Sequence, residues 1–229
     1  MDGNEKVLMS DEIRDRLVAR GRRFFANDNI SSAIYSEEEL QALQEEVEGN
    51  MLQVLRSLVI DTDADHNSRD TARRVAKMFI REIYSGRYME SPRITSFPNA
   101  KNLDEMYTSG PITVRSACSH HMQSIIGKCW IGVIPGEDVI GLSKFNRVVD
   151  WFATRGQIQE EMTVQIADFL EGMIKPKGLA VVIKATHGCM ICRGVKESTE
   201  ASMTTSVMRG KLLENPAARA EFFQLAKVE

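Results

Sequence analysis

Two short segments, far apart in the chain, constrain its fold more than any other feature: Cys118-Ser119-His120-His121 and His187-Gly188-Cys189. Thiolate sulfur and imidazole nitrogen are preferred ligands of a borderline-soft metal such as zinc, and a C-x-x-H pair places two of them on one ion, with Cys189 available as a third. Three of the four histidines and two of the four cysteines fall in these segments, a denser clustering than core packing requires. A fold that uses them must bring the two segments together. The competing reading treats each cysteine as a small buried hydrophobe on a strand. A second metal reading also exists, because Cys189-Met190-Ile191-Cys192 is a C-x-x-C. With Cys118 and His121 it would close a four-ligand structural site, whereas three protein ligands leave a position for catalytic water.

The chain of 229 residues is long enough to bury a sizeable core and suits one domain with an appendage. Four cysteines at this length make no disulfide framework, and reduced thiols suit metal ligation. The formal net charge of -3 argues against general nucleic-acid or membrane-surface binding. A phosphorylated small molecule needs only a local basic cluster. No apolar run reaches membrane-spanning length, and the N-terminus, with Asp2, Glu5 and Asp11, lacks the basic-then-apolar pattern of a signal peptide. A cytoplasmic protein is expected.

Residues 1–108 read as a helical region. Ser10 is placed to cap a helix through Ile13, Leu17 and Val18, and Ser36 with Glu39 forms a capping box before an amphipathic run to about Val59. Phe24 to Tyr35 reads as a loop and Asp61 to Ser68 as a linker. Val75, Met78, Phe79 and Ile83 have helical spacing, with Gly86 as the stop. Residues 109–229 change period. Ile112, Val114 and the run Ile125 to Ile134 are rich in β-branched residues, and Pro135-Gly136 marks a turn. Helices are expected over Ser143 to Thr154 and Ile158 to Ile174, broken at Arg155-Gly156, then strands over Leu179 to Thr186 and Ala201 to Met208. Asn215-Pro216 starts a terminal helix. The fold class is therefore α+β, in the order ββααββ.

Ser143, Lys144 and Arg147 open the first of the two helices, where free N–H groups and the macrodipole attract anions. That suggests a phosphate site, against the alternative of a solvated basic turn. Glu160, after Gln159, opens the second helix, where a carboxylate is favourable through the dipole alone.

These pieces occur in a familiar order. Asp70-Thr71-Ala72-Arg73-Arg74-Val75-Ala76-Lys77-Met78, Cys118-Ser119-His120-His121, Gly141-Leu142-Ser143-Lys144-Phe145-Asn146-Arg147, Gln157-Ile158-Gln159-Glu160 and Thr186-His187-Gly188-Cys189 with Arg193-Gly194 together resemble GTP cyclohydrolase I. The resemblance runs from about Asp70 to the C-terminus. It implies a tunnelling fold, an antiparallel sheet with two helices inserted between strand pairs, whose subunits close into a ring, two pentamers making a homodecamer. It implies Zn2+ held by Cys118, His121 and Cys189, with Cys192 outside the site. It assigns acid/base roles to His187 and His120, a part in the sugar steps to Ser143, guanine recognition to Glu160 assisted by Gln159, and the triphosphate to Lys144, Arg147, Arg193 and, from a neighbouring subunit, Arg74. The implied reaction hydrolyses GTP at C8, releases formate and recyclises the product to 7,8-dihydroneopterin triphosphate.

Two positions depart from the family pattern: Ser119 where glutamate is common, and Gly188 where a larger residue precedes the second cysteine ligand. A carboxylate beside a ligating imidazole orients it and raises its basicity. The departures leave two other readings open, a paralogue that stops at a ring-opened or formylated product and a non-catalytic, zinc-stabilised binding protein. Intact His120, His187 and Glu160 argue against the second.

Overall fold

A computed structural model describes residues 7–228. Asp2 and Glu5 lie outside the described residues. The chain divides into two units, Met1–Glu90 and Ser91–Glu229.

The first unit contains helices α1 (Met9–Ala19), α2 (Glu37–Ser57), α3 (Thr71–Met78) and α4 (Ser85–Tyr88), the last two joined by a wider helical turn over Phe79–Ile83. Ile13 and Leu17 of α1, Leu40 and Leu43 of α2, and Ile80 form its apolar core with Ile30 and Ala33. Ser36 caps α2 as expected, its hydroxyl accepting from the Glu39 N–H at 3.3 Å. Ser10 does not cap α1. It lies inside the helix, and its N–H donates to Glu46 on α2 at 3.0 Å, so a cross-helix carboxylate has taken the place of a local cap. Gly86 does not stop the helical path either. It is buried within α4, and its carbonyl accepts from Asn29 Nδ2 at 2.9 Å. The Arg16 guanidinium is tied to the Glu39 carboxylate at 2.7 Å and to the Ala33 carbonyl at 3.0 Å.

The second unit is built on one sheet. Short strands β1 (Ser96–Pro98) and β4 (Asp138–Ile140) pair by themselves. The main sheet takes β2 (Tyr107–Cys118), β3 (Ser124–Ile134), β5 (Gly156–Gln157), β6 (Gly178–His187) and β7 (Met203–Gly210) in the order β5-β2-β3-β6-β7. Between β4 and β6 run α5 (Leu142–Ala153) and α6 (Gln159–Ile174), which gives the expected ββααββ order for the long elements. The four long strands are antiparallel neighbours. β5 is a correction to the antiparallel expectation. The break between the two helices is not merely a linker: Gly156 and Gln157 extend and pair parallel with Ala117 and Cys118.

One sheet face packs on Phe145, Val148, Val149 and Phe152 of α5 and Met162, Ile166, Leu170 and Ile174 of α6. On the other face Trp130, Ala180 and Val182 meet Leu212 of α8 (Lys211–Glu214) and Phe222 of α9 (Pro216–Ala226). Cover on both faces explains why β6 reads as a nearly unbroken apolar run rather than an alternating one. Gly132 is required there, because a Cβ would stand 2.4 Å from the Phe222 ring. Asn215 caps α9 as expected, accepting from the Ala217 and Ala218 N–H groups. Among the described residues no helix is long and apolar enough to cross a membrane.

Candidate metal centre and active site

The β3–β6 register sets Ile125 opposite His187, so the loop joining β2 to β3 meets the end of β6. Cys118 ends β2 and is buried, with 6% exposure. The loop after it is closed by the Cys118 N–H donating to the Gln123 carbonyl at 2.8 Å and the Met122 N–H donating to the Cys118 carbonyl at 2.9 Å. Pairing with β5 adds the Ser119 N–H to the Gln157 carbonyl at 3.0 Å. Cys189 follows β6 on a single helical turn, α7 (Gly188–Ile191). The ligand atoms of Cys118, His121 and Cys189 all lie within 4.8 Å of one another. Tetrahedral zinc with sulfur at about 2.3 Å and nitrogen at about 2.0 Å needs its ligand atoms roughly 3.5–3.8 Å apart, so a small closing movement suffices. Two thiols and an imidazole fit zinc in type as well as spacing.

Burial pushes the Cys189 thiol pKa up and the neighbouring Cys118 thiol adds to this, while Arg193 opposes it. A coordinating cation reverses that balance, because it deprotonates the thiols it binds. Cys192 is exposed and stands outside the group, so the four-ligand set is not assembled. Cys129 is fully buried in the core, which raises its thiol pKa, and follows the packing interpretation of a cysteine. Gly188 is buried where a Cβ would come within 3.1 Å of Ser124 Oγ and 3.2 Å of the Ser124 carbonyl. Close packing of α7 on the start of β3 is a physical reason for a glycine at this position.

The other expected residues divide into three sets. His120 is exposed, its Nδ1 3.9 Å from Cys118 Sγ. His187 is half-buried, with Nε2 2.8 Å from Gln159 Oε1. Burial lowers its pKa and the nearby Glu160 carboxylate opposes this. Gln159 and Glu160, read as a pair in the sequence, are divided by the helix they open: Gln159 is wholly buried and Glu160 is exposed. On the first turns of α5, Ser143 and Arg147 are exposed, and Lys144 donates to the Arg93 carbonyl at 3.0 Å. Arg193 is exposed just beyond α7. Arg74 lies in the first unit on α3, with its guanidinium 3.6 Å from Asp70. A groove of about 730 Å³ is lined by Lys128, Trp130, Lys184 and Thr186 among others, and none of these site residues lines it.

Sequence reasoning missed Thr163 and Thr205, which complete the polar environment of Gln159: Thr205 Oγ1 lies 3.1 Å from Gln159 Nε2 and 2.7 Å from Thr163 Oγ1. A signal was present. Gln159 and Thr163 sit four apart on the face of α6 that otherwise carries Met162, Ile166 and Leu170.

Residues 47–227 match the family model described as GTP cyclohydrolase I. The chain belongs to the GTP cyclohydrolase I family. It is 41% identical over 211 residues to GTP cyclohydrolase 1 of Aliivibrio salmonicida, covering 92% of this chain and 93% of that one. It is 42% identical over 180 residues to GTP cyclohydrolase 1 of Vibrio vulnificus, covering 78% and 82%. For GTP cyclohydrolase 1 of Shewanella baltica the identity is 39% over 196 residues, covering 85% and 88%. Among solved structures, the archaeosine synthase QueF-Like in the apo form is 15% identical, with a TM-score of 0.35 over 53% of this chain and 97% of that one. The GTP cyclohydrolase I match spans the metal cluster, α5 and the start of α6, and so takes in every site residue considered above.

Proposed function

We propose that the protein is a zinc-dependent GTP cyclohydrolase I, which hydrolyses GTP at C8, releases formate and recyclises the product to 7,8-dihydroneopterin triphosphate. The observation that carries this is the convergence of Cys118, His121 and Cys189 on one point, with His187 two residues before Cys189, in a chain about 40% identical to named GTP cyclohydrolases. Zinc bound by these residues supplies Lewis acidity, which makes water a nucleophile near neutral pH.

The chain's own groups do the rest. His187 delivers a proton to N7 of the guanine ring as C8 is attacked, and His120, beside ligand His121, is the second acid/base group. The exposed Glu160 carboxylate accepts the N1–H and N2–H of guanine. Adenine offers no N1 proton at that edge, so Glu160 also excludes ATP. Ser143 serves the ribose rearrangement. Lys144, Arg147 and Arg193 meet the triphosphate with charge-assisted hydrogen bonds, and Arg74 does so from a neighbouring subunit of a homodecamer. The catalytic domain is the second unit, Ser91–Glu229, which begins before residue 109 and includes β1 and the whole of β2, and the protein works in the cytoplasm.

The test is the product formed from GTP by the purified, zinc-loaded protein. One formate and one 7,8-dihydroneopterin triphosphate per GTP consumed are expected. A ring-opened or formylated product accumulating without the pterin would establish the shortened reaction instead.

A further inference from the structure

We propose that Gln159 is a positioning residue that holds His187 as its Nε2–H tautomer, so that Nδ1 is the only ring nitrogen able to exchange a proton with the substrate. The proposal rests on the reading of His187 as the acid/base group.

The buried Gln159 amide can face only one way. Gln159 Nε2 lies 3.0 Å from the Ile183 carbonyl of β6 and 3.0 Å from the Met203 carbonyl of β7. Carbonyl oxygens only accept, so the amide must present its N–H groups to them. Turning it over would set Oε1 against two carbonyls in a site with no exposure to water. The threonine pair agrees. Thr163 Oγ1 donates to the Gln159 backbone carbonyl at 2.7 Å, which commits its single proton. Thr205 must then be the donor in its 2.7 Å contact with Thr163, leaving the Thr205 oxygen to accept from Gln159 Nε2. Every hydroxyl proton has one place to go, and each choice supports the same amide orientation.

Oε1 therefore faces His187 Nε2 at 2.8 Å as an acceptor only. An acceptor there requires a proton on Nε2. In the neutral ring Nδ1 is then bare, and in the cation it carries the second proton, while the bond to Gln159 is the same in both forms. The proton given to the guanine ring leaves from Nδ1, and the ring regains one at Nδ1 in a later step, with no ring flip and no broken anchor. The sheet register delivers this geometry, since Ile183 pairs with Thr205 across β6 and β7.

The consequence for Gln159 differs from base recognition. Its two donors are committed to β6, β7 and Thr205, and its oxygen to His187, so guanine is left to Glu160.

The test uses the full-length, zinc-loaded protein labelled with ¹⁵N-histidine, without substrate, with the His187 resonance assigned by its loss in His187→Ala. Solid-state ¹⁵N spectra of neutral His187 should show Nε2 protonated and Nδ1 bare. The reverse tautomer would overturn the proposal, and this measurement needs no Gln159 variant to fold. Gln159→Met keeps the length but removes the acceptor. It should lower kcat by about 10- to 100-fold, the range for losing a group that orients an imidazole, with KM for GTP and zinc content unchanged and with a mixture of His187 tautomers. A raised KM with kcat intact would make Gln159 a base reader and overturn the proposal, as would an unchanged kcat. Failure of the unaltered protein to turn over GTP would instead defeat the functional reading, because the tautomer is read without substrate.

Discussion

Gln159 and Cys118 are buried and hydrogen-bonded to neighbouring backbone, beside an exposed His121 and His120, whereas Arg147 and Arg193 stand exposed to solvent. The first group belongs to the hydrolytic end of the proposed site and the second to its triphosphate end. The difference follows from the tasks. Holding a metal ligand or a proton-transfer nitrogen to within about half an ångström needs side chains locked before the substrate arrives. A triphosphate can be met by hydrated cations on flexible stems that close on it.

Substitutions at the hydrolytic end should cost the most. Cys189→Ser should remove bound zinc and lower GTP turnover by about a thousandfold or more, the scale seen when a principal charge-stabilising group is lost. Metal analysis and product formation measured on the same sample check this. Glu160→Gln places a donor against the guanine N–H groups at a cost of about 1 to 3 kcal/mol, or roughly 5- to 150-fold in kcat/KM. Steady-state kinetics with GTP would show it, and unaltered kinetics would reduce Glu160 to a helix-terminus charge. At the basic end the effect should be smaller and of another kind. Lys144→Ala or Arg147→Ala each removes one charge-assisted hydrogen bond and should raise KM about tenfold, at about 1.4 kcal/mol, with kcat nearly unchanged. A fall in kcat at constant KM would mean that the basic end takes part in the chemistry and that the two plans are not separate.

Donor type makes a metal site legible in the sequence, and the family resemblance chooses Cys118, His121 and Cys189 over the closed set that adds Cys192. Cys118, His121 and Cys189 carry uncommon donor atoms, and grouping them needs no knowledge of strand register. The long strands and helices of the second unit were legible for a similar reason, since their periods differ plainly. The role of Gln159 was not, because two of its side-chain partners are the backbone carbonyls of Ile183 and Met203, which any residue supplies and which only the pairing of β6 with β7 brings to it. Local capping rules fail at Ser10 and Gly86. Each answers to a partner distant in sequence, Glu46 for the one and Asn29 for the other. The short β5 pairing escaped notice because two residues carry no period.

With three ligands and not four, the metal site stays open for catalysis. Zinc content measured on Cys192→Ser beside the unaltered protein and Cys189→Ser distinguishes the two arrangements. The exposed Cys192 lies outside the ligand group, so Cys192→Ser should keep one zinc per chain and turn over GTP within about twofold of the unaltered protein, as expected of a surface change. Loss of zinc from Cys192→Ser as complete as from Cys189→Ser would establish a closed structural site and exclude the open, three-ligand one.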